Sequence, residues 1–370
     1  MVLKELEIEN FRIFPYLKIE FSDGINIISG KNGQGKTSIL ESIYYLALTK
    51  SFRTSNDNFV VSYTKDHFSI KSIITSENSP DLKIRIYFSD SEGKHLFVNK
   101  KEITKFSEYI GKVPSVILTL DDLRLIKGGP QERRKFIDIL ISQISPVYLE
   151  DLKNYRRILH QRNALLNIDN EKEIKRQILI WNRQLVEHGT RIILHRLKFI
   201  DFLNINLSEY YNSISDANDL ISVKYKSSIS NNIKISEKEK IEEIYNRKLG
   251  NVFKYELERK TSAIGPHRDD VVFFKGGKIF KDFCSQGENK TLVVALKFLE
   301  WEYISIERKQ KPILLLDDIF GELDESRIQG LLRFLEKIGQ AYITTTMQGK
   351  FIDHPSSRKL LIRNKKIYDA

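Results

Sequence analysis

The sequence predicts an α/β chain of two lobes, on three observations. Period-two alternation fills roughly the first 120 residues, a helical pattern runs from about Gln131 past Tyr211, and short apolar strand-like runs return after it. One lobe is therefore expected from the two ends of the chain and a second from its middle, with boundaries at residues 1–122, 123–259 and 260–370.

In the N-terminal part, Leu3–Ile8, Leu17–Phe21, Phe68–Ile73 and Leu82–Phe88 alternate apolar and polar residues, as half-buried antiparallel strands do. Ile25–Ile28 has no alternation and reads as a buried strand, and Ser38–Leu46 carries apolar residues at helical spacing. In the middle, Pro146 marks a break between one helix and a second that begins near Val147. The polar run Ser227–Asn232 reads as a loop, and Val271–Phe274 and Ile313–Leu316 as strands. No internal repeat or long heptad array is present, so any arm is short.

Between the buried strand and the first helix stands GKNGQGKTS, Gly30 to Ser38, which fits G-x-x-x-x-G-K-[ST]. Strand, glycine loop, helix is the order a phosphate cradle needs: backbone N–H groups converge on the phosphates and the helix N-terminus adds partial positive charge. Gly30, Lys31, Asn32, Gly33, Gln34, Gly35, Lys36, Thr37 and Ser38 are the candidate nucleotide-binding residues. Lys36 would reach the β- and γ-phosphates of ATP, and the Thr37 hydroxyl would ligate Mg²⁺. The plainer alternative is a glycine turn with a solvated lysine.

PILLLDDIFGELD, Pro312 to Asp324, has the form of a parallel strand that delivers two carboxylates to its C-terminal end. Asp317 would hold Mg²⁺, and Asp318 would orient or deprotonate the attacking water. The alternative is an apolar strand running into an acidic turn. Ahead of it, Ser285, Gln286 and Gly287 open an amphipathic helix carrying Leu292, Ala295, Leu296 and Leu299 on one face. A helix N-terminus there is a second anion site. Because one polyphosphate already occupies the first helix end, the economical reading is that it caps a γ-phosphate bound to another subunit. A bare N-cap by Ser285 is the alternative.

The formal charge of +11 favours an anionic partner such as nucleic acid without naming it, and an unspecific surplus of lysine would give the same count. The helical middle concentrates Arg124, Lys127, Arg133, Arg134, Lys153, Arg156, Arg157 and Arg162, candidates for sequence-independent contacts to DNA phosphates or, singly, solvated helix faces. Trp181 falls at helical spacing among apolar residues and reads as core, and His267 and Arg268 read either as nucleotide contacts or as a turn after Pro266. The single Cys284 excludes an internal disulfide framework, and with no clustered histidine a zinc site is excluded too. No apolar run reaches a membrane span of about 18 residues, and the start lacks a signal peptide's apolar segment, which reads as a soluble, cytoplasmic protein with no membrane partner.

The order of glycine loop, helical insertion, Ser-x-Gly helix and twin-acid strand resembles the ABC-type ATPase heads of the SMC family. SFRT at Ser51–Thr54, LTLDDLRLIKGGPQERRKFID at Leu118–Asp138, TSAIGPHRDDVVF at Thr261–Phe273, SQGENKTLVVALK at Ser285–Lys297, PILLLDDIFGELDESR at Pro312–Arg327 and ITTT at Ile343–Thr346 narrow the likeness to the family's bacterial recombination mediators. The resemblance implies a two-lobed ATPase head, a P-loop core with N-terminal antiparallel strands and an inserted helical lobe. It also implies a weak ATPase that forms a homodimer on ATP and binds DNA, double-stranded or at single-strand/double-strand junctions. Such a protein, associated with the nucleoid, would help RecO and RecR load RecA at gaps, supporting fork recovery and SOS induction.

By the same resemblance Gly30–Thr37 is Walker A, Asp317 and Asp318 are Walker B, Ser285–Gly287 is the signature, and Leu323 and Asp324 form the D-loop; Leu120–Asp122 falls where relatives carry a Q-loop, here without glutamine. The chain departs from the pattern with Glu288 in place of the usual glutamine, with Met347 where an aspartate usually follows Thr346, and with threonines where many transporter ATPases carry a switch histidine. Two other readings remain: the ATPase subunit of a membrane transporter, which should carry that histidine, and a monomeric P-loop kinase or GTPase, which needs no signature supplied by a partner.

Overall fold

The computed structural model describes residues 1–76, 79–230, 237–346 and 357–369; Met347, and Asn231 and Asn232 of the polar run, lie outside them. The described residues fall into two compact units, Met1–Asp122 with Ser213–Ala217 and Lys290–Ala370, and Leu123–Asn212 with Asn218–Asn289.

In the first unit the alternating N-terminal segments form a six-stranded antiparallel sheet in the order Phe14–Glu20, Val2–Phe11, His67–Ser76, Ser79–Ser89, Gly93–Val98, Lys101–Glu102. Leu6, Ile8, Ile70, Ile84, Ile86 and Leu96 are buried, while Lys71 and Arg85 on the alternate positions are exposed. A second six-stranded sheet has the order Lys366–Asp369, Arg358–Arg363, Ile25–Ser29, Ala341–Thr345, Ile313–Asp317, Ser115–Leu118 and is parallel except for its terminal hairpin. Its central strands are apolar without alternation, as strands covered on both faces are.

The P-loop helix, Lys36–Leu48, touches strands of both sheets, and every residue in it except Thr37 is buried. That double contact is why its apolar residues run all round rather than along one stripe. Within it the fully buried Glu41 accepts hydrogen bonds from Arg12 at 2.9 and 2.5 Å and from Ser51 at 2.5 Å, so Ser51 and Arg53 of the SFRT block are drawn onto a buried carboxylate. The two sheets are also stapled directly, since the buried Gln340 side chain accepts from the Leu3 amide at 2.8 Å and donates to the Leu3 and Ser22 carbonyls at 2.9 and 2.8 Å.

The second unit extends to Asn289, so residues 260–289 belong with the helices rather than with the C-terminal part of the first lobe. The reason is a strand pairing: Asp270–Lys275 lies between Ile221–Lys226 and Lys278–Ile279 in a three-stranded antiparallel sheet. Helices Pro130–Ile144, Pro146–Leu166 and Lys238–Arg259 lie in this unit, and a continuous 45-residue helix, Glu171–Ser215, has all but its last turn there. Ser145 caps the second of these by accepting from the Tyr148 amide, with Pro146 at its first position.

The interior of this unit carries charged side chains among its apolar ones. Arg162 is fully buried and donates to Glu256 at 2.5 Å, to Ser262 at 2.7 Å and to Asn182 at 2.8 Å. Arg133 forks onto both oxygens of Asp270, at 2.7 and 3.0 Å. Neither can present its guanidinium to DNA, which corrects the expectation for these two residues: burying a guanidinium requires a carboxylate that consumes it. Trp181 packs against Leu165, Leu166, Ile174 and Ile178, as read from its spacing. His267 is a turn residue held by the Tyr155 hydroxyl at 2.6 Å, and burial pushes its pKa down to about 4. Replacing Arg162 by leucine strands Glu256 and should cost about 3–5 kcal/mol, read as a lower urea midpoint; Glu256→Gln in the same chain should restore part of it, and an unchanged midpoint in Arg162→Leu would show that the pair holds nothing.

Candidate functional site

The parallel sheet of the first unit brings the glycine loop and the twin acids together. Thr344 pairs in register with Ile28 on one side and with Asp317 on the other, so the C-terminal ends of the three strands line up. Thr37 Oγ1 donates to Asp317 Oδ1 at 3.0 Å across 280 positions of sequence. Thr344 Oγ1 donates to the same oxygen at 2.7 Å and accepts from the Asp318 amide at 2.9 Å. Asp318 sits at φ 50, a left-handed conformation that aspartate tolerates better than most residues. The Thr344 hydroxyl thus holds one acid by its side chain and the next by its backbone.

The loop is shaped for close approach of an anion. Gly35, the N-cap of the P-loop helix, lies at φ 97, and a Cβ there would stand 2.5 Å from the Phe14 ring. Gln34 accepts from the Asn364 amide at 2.9 Å, tying the loop to the terminal hairpin. Lys36 Nζ lies across the loop, donating to the Gly30 carbonyl at 2.7 Å and the Lys31 carbonyl at 3.1 Å. Burial lowers the pKa of its ammonium, and Asp318 and Asp317 push the other way. Burial raises the Asp317 carboxyl; the Thr344 and Thr37 hydroxyls pull it down, Asp318 pushes it up, and Arg53 stands close enough for its charge to lower it. A hydroxyl and a carboxylate oxygen 3.0 Å apart form a hard-oxygen donor pair of the kind Mg²⁺ takes alongside phosphate oxygens, so these residues fit a magnesium nucleotide. Thr344 and Arg53 were not singled out as site residues from the sequence, although each lies in a quoted block, ITTT and SFRT.

The signature segment belongs to the second unit. Ser285 and Gln286 are exposed and Gly287 half-buried. Ser285 Oγ accepts from the Glu288 amide at 3.2 Å, and Glu288 accepts from the Ser285 amide at 2.7 Å. That reciprocal pair is a capping box, S-x-x-E, opening the helix Gln286–Arg308. Asp324 caps the helix Glu325–Leu335 by accepting from the Arg327 amide, and pairs with the Arg327 side chain. Asp122, in the Q-loop position, accepts from Thr119 and pairs with the buried Lys297 at 3.2 Å. Of the candidate DNA contacts, Arg124, Lys127, Lys153, Arg156 and Arg157 are exposed, and Arg134 is half-buried on the Asp269 carbonyl at 2.6 Å.

Thr344→Val keeps the volume and removes the hydroxyl that orients both acids, so ATP turnover should fall by about 10- to 100-fold, with a lower melting midpoint from the stranded Asp318 amide, a cost of about 1–3 kcal/mol, in a chain that still folds. Unaltered turnover would separate this threonine from the chemistry.

The RecF/RecN/SMC N terminal domain family matches residues 2–366. The DNA replication and repair protein RecF of Bacillus cytotoxicus is 38% identical over 362 residues, covering 97% of this chain and 95% of its own. That of Prosthecochloris aestuarii is 37% identical over 347 residues, 94% of each chain. Among solved structures, the ATP complex of the recombination mediator protein RecF of the RecFOR pathway matches with a TM-score of 0.89 and 31% identity, over 100% of this chain and 97% of that one. The Smc head bound to the C-winged helix domain of ScpA, 16% identical with a TM-score of 0.59, shares the fold. With the P-loop and the twin acids on one parallel sheet and the family matched over nearly its whole length, the chain belongs to the RecF family of SMC-type ATPases, proteins of DNA replication and repair.

Proposed function

We propose that this chain binds and slowly hydrolyses Mg²⁺-ATP, dimerises when ATP is bound, and in that state holds DNA at gaps and junctions without reading sequence. In this reading it assists RecO and RecR in loading RecA, and so serves recombinational repair, fork recovery and SOS induction in the cytoplasm, at the nucleoid. The contact of Thr37 with Asp317, made by two segments 280 positions apart, is the observation that supports it most strongly. Membership of the RecF family supplies the process. Neither a transporter subunit nor a monomeric kinase is favoured, since the relatives are repair proteins.

Within one chain the backbone of Gly30–Ser38 cradles the phosphates and Lys36 neutralises the β- and γ-groups. Thr37 and Asp317 would hold Mg²⁺, which would supply charge neutralisation of the phosphates. Asp318 orients the attacking water and accepts its proton, and the bond from its amide to Thr344 keeps that carboxylate aimed. Ser285, Gln286 and Gly287 cap the γ-phosphate held by the partner subunit, and Asp324 lies in the dimer interface. Arg124, Lys127, Arg134, Lys153, Arg156 and Arg157 contribute phosphate contacts whose strength falls with salt.

Asp318→Asn separates binding from chemistry, because Asp317 and Thr37 remain. Sedimentation should find it as dimeric as the parent in ATP, with turnover lower by about 10²- to 10⁴-fold. A monomer at saturating ATP would refute the role given to Asp318.

A further inference from the structure

Glu288 sets a carboxylate into the turn that, on the reading above, approaches a partner's γ-phosphate, and that reading by itself expects repulsion. The structure contains an answer to it. Glu288 Oε1 accepts from Lys275 Nζ at 2.6 Å while its other oxygen accepts from the Ser285 amide at 2.7 Å. The same ammonium contacts Asp219 at 2.7 Å and lies 5.9 Å from the centre of the Tyr211 ring. Lys275 is the last residue of strand Asp270–Lys275, so its backbone is fixed by a sheet and its side chain by two carboxylates and a ring. All four residues are less than one-third exposed, a setting in which charge pairs are only partly screened.

We infer that Lys275 is a positioning residue of the nucleotide-dependent dimer: it turns Glu288 back onto the amide of Ser285, the N-cap of the signature helix, and offsets one of the two negative charges, Glu288 and Asp219, that would otherwise oppose the partner's γ-phosphate. The inference rests on the reading of Ser285–Gly287 as a cap supplied in trans. The Lys275 bond, with the Ser285 amide behind it, holds the Glu288 carboxyl down at about 2. Without Lys275, two carboxylates, Asp219 and Glu288, would face an incoming triphosphate. A neutral glutamine in place of Glu288 would make no such demand, so Lys275 and Glu288 form one device of two residues.

Sedimentation of the full chain in ATP, ADP and no nucleotide tests this in four forms, the parent, Lys275→Ala, Glu288→Gln and the double variant, with ATP binding to the dilute monomer measured alongside. Lys275→Ala should weaken ATP-driven dimerisation by about tenfold or more and leave monomer affinity for ATP within about twofold. Glu288→Gln should dimerise at least as well as the parent, and the double variant should recover most of what Lys275→Ala loses. Urea midpoints measured alongside separate charge offset from support of the fold, since a loss of dimerisation caused by charge leaves the Lys275→Ala midpoint close to the parent's; Lys275→Arg, a fifth form that keeps the charge, should also dimerise. A parent that dimerises with ATP beside a Lys275→Ala variant equal to it overturns the inference alone, as does a double variant no better than Lys275→Ala. A parent that stays monomeric in ATP overturns the trans reading and the inference together.

Discussion

Ile28, Thr344 and Asp317 are lateral neighbours on three parallel strands, and the rest of the first unit is arranged to keep that line. The strand bearing Ile28 releases the glycine loop at its end, the strand bearing Asp317 releases the acids at the same edge, and Thr344 stands between as the hydrogen-bonding spacer. A shift of one residue in either pairing would reverse which face each side chain occupies, so the apolar contacts of both faces enforce the register. The N-terminal antiparallel sheet contributes from the other side: Phe14 abuts Gly35, and the helix that follows is buried against both sheets. The two ends of the chain, with Ser213–Ala217, make up this unit, and the rest of the middle makes up the second.

That middle is held by ion pairs and hydrogen bonds as much as by apolar contact. The block TSAIGPHRDD has a structural reason for most of its members: Ser262 accepts from Arg162, Pro266 accepts through its carbonyl from Arg196, His267 meets Tyr155, Asp269 accepts from Tyr225 and Ser228, and Asp270 receives Arg133. Gly265 is required at φ 126 because a Cβ would stand 2.1 Å from the Tyr245 hydroxyl. The buried carboxylates and guanidinia here each meet the other or several donors, and such networks favour one arrangement over its neighbours. Part of the basic surplus in the helices is therefore interior structure. Arg124, Lys127, Lys153, Arg156 and Arg157 are the exposed remainder.

Much of this is legible in the residues. Alternation marks the N-terminal strands because their sheet buries one face, and the unbroken apolar runs before Gly30 and Asp317 mark strands that bury two. The capping box could be read from Ser285-x-x-Glu288 alone, since that spacing is its signature. The boundary at Asn289 could not, because it depends on Asp270–Lys275 pairing with Ile221–Lys226 across an intervening helix. Burial of Arg162 had a signal that charge counting hid: it follows Tyr155 and Ile158 and precedes Leu165 and Leu166 at helical spacing, on the face that faces inward. Thr344 gave no signal beyond its place in a threonine run, as its role exists only once three strands are side by side.

The central claim is that each nucleotide site is completed by a second copy of the chain, and mixing two inactive variants tests it most directly. Lys36→Ala lacks a working loop but retains Ser285, whereas Ser285→Arg retains the loop and blocks the capping end. Each alone should hydrolyse no ATP above background. Mixed, they should form heterodimers with one intact site, built from the loop of one chain and the signature of the other, and turnover should reappear in proportion to the heterodimer. A mixture as inactive as its parts, with both variants folded and the Ser285→Arg chain still binding ATP, would contradict the account.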